Sequence, residues 1–183
     1  QKVKVVDTNS PYNGQTVDIF IKNGKIADIG TAIDSSIDLE NIEIWNANNA
    51  CVSMGWVDIG TYTNDPGEEF KEDLASISEA AQFGGFTTIL SAANTNPVID
   101  SNSDVCFLKN KAANQAVDVL PLGALTKESK GTELAELYDM KSAGAVAFSD
   151  YKKAQTNPNL IVPSWPLFLV NKSHLDWHFL ANR

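Results

Sequence analysis

The chain has 183 residues, 43% of them hydrophobic and 20% charged, with a formal net charge of −9. That balance speaks against a disordered segment, and the acidic surplus against a nucleic-acid partner, because little here would neutralise phosphates. Cys51 and Cys106 each sit in an apolar stretch and read as buried free thiols of a reducing compartment; no run resembles a signal peptide or approaches the roughly 20 apolar residues of a membrane span, so the expectation is a cytoplasmic protein.

The first fifty residues read as short strands. Val17, Ile19 and Ile21 alternate with polar Asp18 and Lys22, and Asn23-Gly24 follows at once as a hairpin signal. Ile26 and Ile29 then belong to the return strand, and Ile42, Ile44 and Trp45 predict a further one. Strands this short must pack as a small sheet or sandwich.

The pattern changes near Ala50. Residues 51–59 form a near-continuous apolar run, as expected of a strand buried on both faces. After a loop holding Asn64, Asp65, Pro66 and Gly67, a helix is predicted from about Phe70 to Phe83, with Glu68 and Glu69 near its start and Gly84-Gly85 at its end. Phe86 to Leu90 is a second strand. Ser101 can cap a helix over about Asn102 to Asn114, and Val117 to Leu122 reads as a third strand. Gly131 or Thr132 opens a helix with Leu134, Leu137 and Met140 on one stripe, ended by Gly144, before a fourth strand from Ala145 to Phe148. Four consecutive βα units imply an α/β fold with a parallel sheet. The pattern fits either an open doubly wound sheet or the first half of a (βα)8 barrel. The lack of a glycine-rich phosphate loop after the first strand weighs against a dinucleotide fold.

In such folds the reactive groups lie at the C-terminal ends of strands. Those positions hold residues 58–67, 91–100, 124–127 and 149–151. Gly55-Trp56-Val57-Asp58, Asp65-Pro66-Gly67-Glu68, Gly84-Gly85-Phe86-Thr87-Thr88, Asn94-Thr95-Asn96-Pro97, Gly123-Ala124-Leu125-Thr126-Lys127 and Gly144 to Asp150 occur in that order. Together they resemble the dihydroorotase family of the amidohydrolase superfamily from about Val5 to Asp150. The resemblance implies a small β-sandwich beside a TIM-type (βα)8 barrel, zinc as cofactor, and interconversion of dihydroorotate and carbamoyl aspartate in pyrimidine biosynthesis. It divides the chain into a sandwich portion at 1–52, four βα units of the barrel at 53–160, and a tail at 161–183.

The family's first strand ends in Asp-x-His-x-His-x-Arg, whose two histidines reach one metal from the same side of the strand. Here the span reads Asp58-Ile59-Gly60-Thr61-Tyr62-Thr63-Asn64. Glycine has no ligand atom, a phenol is a poor zinc ligand at neutral pH, and Asn64 cannot replace an arginine clamp for a carboxylate. Asn94 stands at the family's substrate-contacting asparagine and Asp150 at a metal-ligating carboxylate. Their bland alternatives are a turn residue beside Thr95 and a helix-capping carboxylate. His174 and His178, the chain's two histidines, lie four residues apart but lack the glutamate of a metalloprotease helix. Lys127 and Lys130 read as solvated loop lysines.

The lost histidines imply a catalytically inactive dihydroorotase-like protein with no zinc or an incomplete site. Silent relatives of this family act as structural partners, so a homo-oligomer or an aspartate transcarbamoylase-like partner is expected. The alternative is an active metal-dependent cyclic amidohydrolase using non-standard ligands, Asp150 among them.

Overall fold

Asn23 and Gly24 both take positive φ, 52° and 72°, the backbone of a two-residue turn whose twist matches the flanking strands. The turn joins β2 (Thr16–Lys22) to β3 (Lys25–Gly30), with Lys22 opposite Lys25. The computed structural model describes residues 1–31, 42–46 and 49–160. It separates into two compact units, Gln1–Met54 and Gly55–Arg183.

In the N-terminal unit, β1 (Val3–Val5) and β4 (Cys51–Val52) complete a four-stranded sheet of order β3-β2-β1-β4. Val5 and Val17 are its buried hydrophobic residues among those described. Residues 42–46, predicted as a strand, are irregular, and Trp45 is exposed. The reason lies on β1. The Lys4 amide of β1 and the Val6 amide just past it donate to Ala50 and Val52 (2.9 and 2.8 Å), so residues 50–52, not 42–46, pair with β1. Cys51 on this short strand is exposed rather than buried, while Cys106 is half-buried; both thiols are free.

The C-terminal unit is α/β. Strands β5 (Trp56–Thr61), β6 (Phe86–Ser91), β7 (Asp118–Gly123) and β8 (Ala147–Phe148) pair in parallel in chain order. Between them run α1 (Leu74–Phe83), α2 (Asn102–Ala112) and α3 (Leu137–Ala143). Two hydrophobic clusters form the core: one joins Leu74 and Ala81 of α1 to Ile89, Leu108 and Val119, the other joins Val105 to Met140, Ala145 and Phe148. No helix among the described residues is long and apolar enough to cross a membrane.

Three local expectations change. The strand expected over 51–59 is two: Cys51–Val52 pairs with β1, and Trp56–Thr61 opens the parallel sheet as its edge strand, where Trp56 and Val57 are exposed. The first helix begins at Leu74, not Phe70. Asp73 caps it, its carboxylate accepting from the Ser76 amide while the Ser76 hydroxyl answers the Asp73 amide. Glu68 and Glu69 therefore lie in the preceding loop. The third helix begins only at Leu137, because Leu134 bridges to Thr126 in antiparallel fashion and the Lys127 and Ala135 amides donate to Glu133 and Leu125. The Ser101 cap and the Gly144 stop, at φ 112°, are where the sequence puts them.

Candidate functional site at the strand exits

The exit of β5 is shaped by a bulge. Ile59 pairs with Leu90 and Thr61 with Ser91, so Gly60 is an extra residue in the register, at φ 98°. A Cβ at Gly60 would meet nothing within 4 Å, but an L side chain would be strained at that φ. The bulge also breaks the simple alternation that would send residues 60 and 62 to one side. Asn64 adopts φ 51°, a left-handed conformation that asparagine tolerates and arginine resists. Its carbonyl accepts the Glu68 amide at 2.8 Å. The residues standing at these positions suit the backbone that carries them.

Beyond the bulge the loop is anchored deeply. The fully buried Thr63 hydroxyl shares a hydrogen bond of 2.9 Å with Ser91 at the end of β6. Asp65, 1% exposed, accepts Lys111 Nζ of α2 at 2.5 Å and the Leu74 amide at 3.4 Å. An ion pair that shields one buried carboxylate fits a structural role better than a reactive one.

The exit of β6 carries Asn94, which is exposed. Thr95 beside it is buried and donates to the Pro97 carbonyl at 2.8 Å, closing a turn. The loop is pinned to the β5 exit by the Asn96 amide donating to the Pro66 carbonyl at 3.0 Å. Gly67, at φ 104°, lies so close that a Cβ there would run into the Asn96 carbonyl.

Asp150, at the exit of β8, is 4% exposed. One carboxylate oxygen accepts the Thr126 amide at 2.9 Å; the other accepts the Thr126 hydroxyl at 2.6 Å and the Gln155 side-chain amide. The Thr126 hydroxyl in turn accepts the Gly131 amide at 2.9 Å. Asp150 thus holds the β7 exit against the β8 exit, with both oxygens engaged. Sequence reasoning singled out Asp150 but not Thr126 or Gln155, and no periodicity links them.

Tyr62 reaches across the mouth of the sheet. Its ring meets that of Tyr151 edge to face, centroids 4.6 Å apart, and Lys152 Nζ lies 5.3 Å from the Tyr62 centroid and 5.1 Å from that of Tyr151. Lys127 and Lys130 are solvated, pairing with Glu133 and Glu128 at 2.7 Å. Partial desolvation aside, the Glu133 carboxylate raises the Lys127 ammonium above its ordinary value. His174 and His178 lie outside the described residues.

A zinc ion does not fit the donors among the described residues. Among the described residues no three His, Cys, Asp or Glu side chains gather to hold a metal ion. Gly60 offers no donor, and Asp150 spends its oxygens on Thr126 and Gln155.

Comparison with known proteins converges on one family. Residues 51–161 match the dihydro-orotase-like family. The dihydroorotase of Aquifex aeolicus is 41% identical over 147 residues, covering 80% of this chain and 34% of that protein. The dihydroorotase of Clostridioides difficile is 36% identical over 173 residues, covering 94% of this chain and 39% of that one. The chain therefore spans little more than a third of the length of the curated relatives it matches. Among solved structures, the L-hydantoinase (dihydropyrimidinase) from Arthrobacter aurescens shares the fold with a TM-score of 0.55 at 23% identity, covering 81% of this chain and 31% of that one.

Proposed function

We propose, because the chain belongs to the dihydro-orotase-like family while the exit of its first parallel strand carries no histidine, that it is a dihydroorotase-like module without hydrolytic activity of its own. In this reading the N-terminal sheet is part of a small β-sandwich, and the four parallel strands are the first half of a (βα)8 barrel. The module acts as a structural partner, of further copies of itself or of an aspartate transcarbamoylase-like enzyme. One observation carries the reading: Gly60, Tyr62 and Asn64 stand where two zinc-ligating histidines and a substrate-gripping arginine are expected. Losing them removes both the activation of water and the grip on a substrate carboxylate.

Asn94 remains as a family-equivalent substrate contact in an exposed loop. Asp150 is a vestigial metal position now serving as a brace between strand exits. The test is zinc content by elemental analysis alongside dihydroorotate hydrolysis. We expect substoichiometric zinc and no turnover. Stoichiometric zinc with turnover would sink the reading and favour the rival one, an active cyclic amidohydrolase drawing on Asp150 and donors elsewhere. Size-exclusion chromatography with light scattering, alone and after mixing with aspartate transcarbamoylase, tests the partner role; a monomer that ignores the transcarbamoylase would end it.

A further inference from the structure

Strands β5 and β8 stand at opposite edges of the described parallel sheet, separated by β6 and β7. In a flat sheet their axes would lie about 14 Å apart. Yet a side chain just past β5 touches one just past β8: the Tyr62 and Tyr151 rings meet at 4.6 Å and an interplanar angle of 77°. The two side chains span the exits of the two edge strands directly. An edge-to-face pair directs the positive rim of one ring at the negative face of the other. Lys152 Nζ, 5.3 and 5.1 Å from the two centroids, is within the range of cation–π attraction to both rings. Lys152 forms no ion pair with a described carboxylate.

We infer that Tyr62, Tyr151 and Lys152 form a cation–aromatic cross-link that ties the exits of the first and fourth parallel strands together. The inference rests on the non-catalytic reading and deepens it. A metal site would join these two exits through a divalent cation; here two phenol rings in direct contact, flanked by an ammonium, join them. Tyr62 and Tyr151 are positioning residues in this arrangement.

Thermal unfolding of the full 183-residue chain reads the cross-link through Tyr62→Leu, Tyr151→Leu and the double variant. We expect each single substitution to lower Tm by roughly 2–4 °C, and the double variant to lose clearly less than the sum. Lys152→Met, which keeps most of the reach and removes the charge, should lower Tm in the parent and lower it less in Tyr62→Leu, where the Tyr151 ring alone remains. A readout independent of folding stability is NMR of lysine labelled at Cε. The Lys152 methylene protons should be shifted upfield by ring currents, keep the shift in Tyr62→Phe, and move towards the exposed-lysine position in Tyr62→Leu. Additive losses for the two tyrosines, or a Lys152 signal already at the exposed-lysine position in the parent, would overturn the proposal. Zinc measured on the same samples separates the two failures. Stoichiometric zinc with turnover removes the non-catalytic reading and the cross-link with it, whereas additive losses in zinc-free protein remove the cross-link alone.

Discussion

The two edges of the parallel sheet use their exit residues in different ways. At the β5 edge Gly60 brings no side chain to the exit, while the loop beyond it is tightly held: Thr63 and Asp65 are buried and partnered, and Gly67 fits against Asn96. At the β8 edge the carboxylate of Asp150 is present, but its oxygens are spent on Thr126 and Gln155. A carboxylate at a strand exit is thus weak evidence for a reaction there. What its atoms touch decides the matter.

The comparison breaks first at Gly67. Gly67→Ala combines left-handed strain with a collision against backbone, and should cost about 3 kcal/mol or more, read as a lower denaturation midpoint. A loss under about 0.5 kcal/mol, the range of ordinary surface changes, would mean the β5 and β6 exits are not in contact. On the other edge, Asp150→Ala leaves the Thr126 amide without its buried acceptor, and should cost roughly 2 kcal/mol. The same variant should leave zinc content where it was; a fall in bound zinc with unchanged stability would restore Asp150 as a ligand.

The smallest effect sharpens the contrast between the flanking helices. Asp73 caps α1, and hydrogen bonding from the Ser76 amide, then from its hydroxyl, holds the Asp73 carboxyl below the ordinary aspartate value; α3 has no side-chain cap. A depressed carboxyl contributes stability that is complete above about pH 4 and is lost as pH falls through the lower folded value. Carbon-detected titration of Asp73 should give a midpoint below that of an exposed aspartate. A midpoint at or above the ordinary value would remove the cap.

Much of the architecture was legible because it is written locally. The Asn23-Gly24 turn, the Ser101 cap, the Gly144 stop and the βα alternation are set by residues within a few positions of each other. Long-range geometry was not. The exposure of Trp56 follows from β5 standing at an edge, which hydrophobicity cannot announce. The late start of α3 follows from the Thr126–Leu134 bridge, and the irregular course of 42–46 from Cys51–Val52 taking the place beside β1. Gly60 and Tyr62 stood out through the family resemblance, but the bulge at one and the Tyr151 partner of the other could not be read from it.

The pairing of Asp65 with Lys111 has a consequence for the order of folding. Asp65 lies in the loop before α1, yet its cation arrives from the last turn of α2, so the carboxylate can be sequestered only after β6 has been laid down and α2 has docked. Contacts of long sequence separation form late because their loops must close first. The β5 exit, first along the chain in this unit, is therefore among the last parts to set. The Leu74 amide that donates to Asp65 reports on that step: in Lys111→Met its hydrogen exchange should quicken more than that of Ile89 in the core, and equal rates would show that the loop closes without its lysine.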